Sequence, residues 1–302
     1  MNNRLTEFLL PELGVRGAVV EYEAGVDTML GSRPYAPDVR RLLAQAIAAM
    51  PLLAAHTKLE GRISLQFQRA EGPVQLLVTQ VECHLGEGRS NGPGSALRVR
   101  GMAKARADAG GDFAELLHGG QLGLLLEPEQ GGQNYQAVVP IEGHRLADAL
   151  EFYFEQSEQL PTVLRLAYHG GCIRGLMLQR LPLGEKNSSE LNWEHVEALF
   201  ATLGEDELAT TPGLTILRRL FHEETVRVFD PQAVELSCRC SREGIGAMLR
   251  SLGEEEIADH LKTHGQFDVT CEFCGRQYVF SADDVQQLFL GARLQPSNQT
   301  RH

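Results

Sequence analysis

The sequence predicts an α+β fold, with an N-terminal, largely antiparallel sheet packed with helices, then a helical linker and a small cysteine-bearing C-terminal domain. Three observations carry this expectation. Residues 1–180 mix helical and strand periodicities, residues 181–231 hold acidic amphipathic runs, and four of the six cysteines form two close pairs near the C-terminus. The expected domains are 1–180, 181–231 and 232–302.

Within the first domain, Val39, Leu42, Leu43, Ala46, Ile47 and Met50 recur at helical spacing between Pro37 and Met50. Ile63 to Phe67 then alternates as a half-buried strand does, and Val74–Val81, Leu122–Leu126 and Tyr135–Val139 are further strand candidates separated by Gly-rich turns. A helix over Arg145 to Gln156 precedes a strand from Val163 to Tyr168. The glycine-rich run Gly86–Gly94 lacks the closing Lys-Ser/Thr of a phosphate loop and reads as a turn, so nothing supports ATP-driven activity.

Size and charge narrow the function. A chain of 302 residues with 43% hydrophobic side chains can bury a core, and no apolar run of about 18 residues is present to span a membrane. The N-terminus lacks signal-peptide features, so the expected compartment is the cytoplasm, where thiols stay reduced and cysteines serve as metal ligands or sensors. A net charge of -12 argues against a nucleic-acid partner, since phosphate contacts need clustered cations. Residues 181–231 are the most acidic for their length, with 10 acidic against 4 basic side chains.

After an expected linker over Pro182–Ser189, Trp193, Val196, Leu199, Phe200 and Leu203 form one apolar stripe, and Leu217 and Leu220 belong to a second helical run from Leu214 to Phe221. Glu194, Glu197, Glu205, Asp206 and Glu207 have few compensating cations, which predicts helices that are marginal without tertiary contacts. This segment is either an ordinary helical connection or a conditional element.

Cys238-Arg-Cys240 and Cys271-Glu-Phe-Cys274 are separated by 30 residues, and four thiolates close a tetrahedral shell around zinc. The second pair has the form of a zinc knuckle, with Gly275 permitting the turn and Tyr278 to Phe280 returning as a strand. Two helical stretches lie between the pairs, from near Ser241 and from Glu254 to Lys262, and a last helix is capped by Ser281 and Asp284. His260 and His264 read as surface residues, Cys83 and Cys172 as isolated small residues, and the proximity of Cys83, His84 and Ser90 as chance. A purely structural zinc site remains open. Against it stands the CxC pair, whose disulfide would close a strained, readily reduced ring, and the reactivity of zinc-bound thiolates toward peroxide.

In its residues from Leu220 to Glu243, in Cys271 to Gly275, and in Val15-Arg-Gly17, Lys58 to Ile63, Tyr135 to Gly143 and Glu155 to Thr162, the chain resembles the 33 kDa chaperonin family. The resemblance implies a redox-regulated holdase, not an enzyme, with zinc on Cys238, Cys240, Cys271 and Cys274. It further implies that oxidation forms the disulfides Cys238-Cys240 and Cys271-Cys274, releases zinc, unfolds the C-terminal domain and linker, and exposes apolar surface to unfolding clients. The active form is expected to be a homodimer. The competing readings are a zinc-ribbon nucleic-acid module and a thiol-disulfide oxidoreductase using Cys271 and Cys274.

Overall fold

A computed structural model describes residues 3–293 apart from 32, 56, 58, 84–95, 130, 142, 183–188, 254–256, 258–260, 262 and 264. The glycine-rich run Gly86–Gly94, His84, Ser90, His260, His264 and most of the expected 254–262 helix lie outside the described residues, as do 183–188 of the expected linker. The chain forms two compact units, 1–237 and 238–302.

The first unit is built on strands β1 (Arg4–Leu10), β2 (Val15–Tyr22), β3 (Gly61–Gln68), β4 (Val74–Cys83), β5 (Leu97–Ala105), β6 (Gln121–Pro128), β7 (Tyr135–Val139), β8 (Thr162–His169) and β9 (Cys172–Arg180). The short strands β10 (Arg227–Val228) and β11 (Gln232–Leu236) join them. The sheet order is β7-β6-β3-β4-β5-β11-β1-β2-β9-β8, with β10 beside β1. Its strand pairs are antiparallel except β11 with β5. The expected strands are all present, and β1, β2, β5 and β9 complete the sheet.

Among helices α1 (Val26–Leu30), α2 (Pro37–Ala55), α3 (Phe113–Leu116) and α4 (Leu146–Tyr153), α2 is the axis of the core. From Leu42 to Ala54 it is buried on every side and, Gln45 apart, apolar, as a helix wrapped by a sheet must be. Pro51 lies inside it and cannot donate to the Ile47 carbonyl four residues back; the buried Tyr22 hydroxyl donates to that carbonyl instead, at 3.2 Å. The helix expected to reach Gln156 leaves α geometry at Tyr153 and continues as a π turn, Phe154–Glu158, closed by Gln159 in the left-handed region at φ 55°.

The second face of β1, β2, β9 and β8 is apolar too. Ala18, Val20 and Tyr22 of β2 face the α2 core, whereas Val15 and Val19 face away from it and are also buried. In β9, Ile173 and Met177 face α2, and Leu176 and Leu178 face away. The cover is supplied by α5 (Glu190–Ala201), α6 (Glu205–Thr210) and α7 (Gly213–Leu220), which contribute Trp193, Val196, Phe200, Leu208, Ala209, Ile216, Leu217 and Leu220, with Leu203 and Phe221 beside them. The expected stripes are therefore docked on a sheet. Helix α6 differs from expectation: Glu205, Asp206 and Glu207 form its first turn, where the N-terminal end of the helix dipole favours anions, and Glu207 pairs with Arg219 at 2.7 Å.

Beside α5, a cavity is lined by Asp148, Glu151, Glu155, Glu190, Trp193 and Glu197. Burial pushes the Glu151 carboxyl up to about 7, with Asp148 adding to the shift and the Leu164 amide, Arg145 and Arg165 opposing it. A carboxyl whose folded value lies above its unfolded one holds an extra proton when folded, so its contribution to stability falls as pH rises from 4.5 toward about 7. Glu151→Gln is expected to flatten that slope and to stabilise the first unit above pH 7 by on the order of 2 kcal/mol. Thermal unfolding at pH 5 and pH 8 checks it; an unchanged difference between the two would count against Glu151 as the source.

Candidate metal centre

The second unit is small. Helices α8 (Arg242–Leu252) and α9 (Ala282–Arg293) flank a hairpin of β12 (Gln266–Thr270) and β13 (Gln277–Ser281). Its core is Ile245, Leu249, Ile257, Tyr278, Phe280 and Val285, packed beside Cys240 and Cys271. Ser241 caps α8 by accepting from Gly244 N–H at 3.0 Å. Ser281 and Asp284 cap α9 reciprocally, as their spacing predicts: the Asp284 N–H donates to Ser281 Oγ and the Ser281 N–H to Asp284 Oδ2. Arg242 lies 4.3 Å from the Phe280 ring centre, donates to Val279 O and pairs with Asp284, joining α8 to the hairpin and α9.

Cys238 and Cys240 approach from the N-terminal side of α8, whereas Cys271 and Cys274 occupy the turn between β12 and β13. The turn closes by Gly275 N–H to Cys271 O and Cys271 N–H to Arg276 O, both at 2.9 Å, and Gly275 takes φ 69°, which favours glycine. Cys238 Sγ lies 3.5 Å from Cys271 Sγ, Cys240 Sγ lies 3.3 Å from Cys274 Sγ, and all four sulfurs fall within 4.8 Å of one another. A tetrahedron with zinc–sulfur bonds of about 2.3 Å has sulfur–sulfur edges of about 3.8 Å. The four free thiols thus have the number, softness and spacing that zinc requires.

Hydrogen-bond donors around the sulfurs favour negative charge, whereas burial opposes it and holds the Cys238 and Cys274 thiols up. Backbone N–H groups of Cys240 and Arg276 donate to Cys238 and Cys274 respectively, and Tyr278 Oη donates to Cys240 Sγ at 3.2 Å. Burial and hydrogen bonding to Cys240 push the Cys238 thiol up; at Cys240 burial acts the same way but is outweighed by the bonds from Tyr278 and the neighbouring thiols, which bring it down. Arg276 stands by, its guanidinium favoured by Tyr278, Cys240 and Cys274. The knuckle pattern pointed to the sulfurs and to backbone amides aimed at them, but not to Tyr278, which is an ordinary strand residue until the fold turns it toward Cys240.

Cys83 and Cys172 are not in this cluster. Cys83 is buried at the end of β4, where burial pushes its thiol up to about 12, and Cys172 opens β9 opposite His169. The CxxC pair sits in a hairpin turn, not at the helix N-terminus that lowers the thiol pKa in oxidoreductases.

A family model described as Hsp33 protein matches residues 3–281. The 33 kDa chaperonin of Pseudomonas aeruginosa is 40% identical over 302 residues, covering 98% of this chain and 97% of that protein. The 33 kDa chaperonin of Methylobacillus flagellatus is 34% identical over 303 residues, covering 100% and 99%. Among solved structures, the 33 kDa chaperonin (heat shock protein 33 homolog) of Thermotoga maritima superposes with a TM-score of 0.76 at 19% identity, over 96% of this chain and 99% of that one, a likeness of fold.

Proposed function

The chain belongs to the Hsp33 protein family of redox-regulated holdase chaperones, which bind unfolding proteins and catalyse no reaction, and from that membership we propose how its own residues make the switch. The observation that carries the proposal is the gathering of Cys238, Cys240, Cys271 and Cys274 at the edge of a core too small to hold about 65 residues together without help. Zinc bound there would offset two of the four thiolate charges and tie the segment before α8 to the turn between β12 and β13.

Under peroxide, each pair of thiolates would give up two electrons to one hydrogen peroxide, solvent would supply two protons, and the peroxide would leave as two waters as the disulfides Cys238-Cys240 and Cys271-Cys274 form. The sulfurs are then no longer donors. Residues 238–302 act as the switch, α5 to α7 within 181–231 as the element it releases, and 1–180 as the client-binding and dimerising domain, with β11 held in its sheet. Release of α5, α6 and α7 would uncover Val15, Val19, Leu176 and Leu178 together with the helices' own apolar stripes, which gives unfolding clients a surface to bind. The active form is a homodimer and the compartment the cytoplasm, where thiols stay reduced until stress. No helix among the described residues is long and apolar enough to cross a membrane.

The test is a peroxide time course at mildly raised temperature, with disulfides mapped by mass spectrometry alongside zinc release and light scattering of an aggregating client. A CxxC ring closes with less strain than CxC, so Cys271-Cys274 is expected first and Cys238-Cys240 later, with client protection rising as zinc leaves. Protection that reaches its maximum before any zinc is lost would overturn the reading.

A further inference from the structure

The linker cover is not purely apolar. Under its α6–α7 corner, Arg4 of β1, Glu21 of β2 and Arg174 of β9 stand side by side in the sheet register, a charged row among valines and leucines. The Glu21 side chain is 2% exposed and that of Arg174 10%. Glu21 Oε1 accepts from the Gly213 N–H at 2.9 Å, at the first residue of α7, while Oε2 accepts from Arg4 Nε at 2.9 Å. Arg174 turns the other way, donating to Thr211 O at 2.5 Å and Leu208 O at 3.3 Å, at the C-terminal end of α6. The carboxylate thus meets the N-terminus of one helix and the guanidinium the C-terminus of the other, each matched to the sign of the helix end it touches. Gly213 is required for the approach, since a Cβ there would stand 2.7 Å from Val19 Cγ2.

We propose that Glu21 and Arg174 form a polar clasp that positions the α6–α7 corner of the linker on the sheet and sets how readily it lets go. This rests on the reading that α5–α7 cover the client surface. Apolar stripes attract without direction and tolerate sliding; charge-assisted hydrogen bonds to three named backbone groups accept one register. The clasp also limits how tightly the cover closes. Both ions are dehydrated when it is shut and hydrated when it opens, so their attraction is largely offset by desolvation. Arg174 Nε, 3.7 Å from Glu21 Oε1, has no hydrogen-bond partner, which leaves the pair short of full compensation. A corner held this way is registered yet poised to open.

The experiment compares the full-length, reduced, zinc-loaded protein with E21Q, R174M and the double variant, by hydrogen exchange, zinc content and client aggregation. E21Q keeps an acceptor for Gly213 and is the gentler change should R174M fold poorly. Either single variant should speed exchange in residues 204–221 by about tenfold or more with one zinc retained: E21Q leaves the buried Arg174 without its carboxylate, and R174M leaves Thr211 O and Leu208 O without their donor while Arg4 still pairs with Glu21. The double variant should exchange more slowly than the product of the two single effects predicts, since the members act as a pair. Unchanged exchange in both singles, losses spread equally over β2 and β9, or fully multiplicative effects would each overturn the clasp. Faster exchange at 204–221 without client protection would leave the clasp standing and instead sink the reading of the linker as a cover.

Discussion

Replacing Cys271 by serine is expected to strip zinc from the protein and to unfold residues 238–302 while the large sheet stays intact. A serine hydroxyl stays protonated at neutral pH and is a poor ligand for a site otherwise made of thiolates, so the shell loses one of its four thiolate donors. Structural zinc sites contribute apparent binding energies of about 10–16 kcal/mol to folding, more than the whole stability of many domains. The six buried side chains around Ile245 and Phe280 cannot offset that loss. Metal analysis should find no bound zinc, and amides from 241 to 281 should exchange at nearly unprotected rates while those of β2 and β9 stay slow. Holdase activity should then appear without oxidant. A second unit that keeps its protection without metal would show that zinc is not its support.

The other large effect is expected at the linker. Phe200 is 3% exposed and packs among Val196, Leu203 and the sheet residues beneath α5. Phe200→Ala should cost about 3–5 kcal/mol of docking, the range for emptying a buried aromatic site. Its partner Arg165, whose guanidinium lies 5.4 Å from the ring centre, would lose a cation–π contact as well. A carboxylate in place of the ring is a less clean test, because it would stand beside Arg165, whose Nε lacks a hydrogen-bond partner, and the new ion pair would restore part of the loss. The reduced, zinc-loaded variant should suppress client aggregation and expose residues 190–221 to exchange. A fully protected linker together with an inactive reduced protein would remove the linker from the switch.

How far these expectations were legible in the sequence depends on which forces are local. Strands that alternate, such as Ile63 to Phe67, declare themselves because one face is core and the other is not. Strands β2 and β9 do not, because both of their faces are buried: one under α2, one under the linker helices. Their patterns, VRGAVVEY and CIRGLMLQR, carry no period until the covering layer is known.

Local chemistry decided the rest of what the sequence could determine. The donor set of four cysteines, the turn at Gly275, the caps at Ser241 and Ser281 and the apolar stripes from Trp193 to Phe221 are short-range patterns, and each was readable from residue type and spacing. Only the tertiary structure decided what those stripes cover, that the acids of α6 begin a helix, and that Tyr278 donates to Cys240. It alone brought Glu21 and Arg174, 153 residues apart, into one register against the ends of α6 and α7. The physical reason is range: periodicity and capping act over one or two turns of chain, whereas burial on a second face and pairing of buried charges depend on residues that meet only when the sheet has formed.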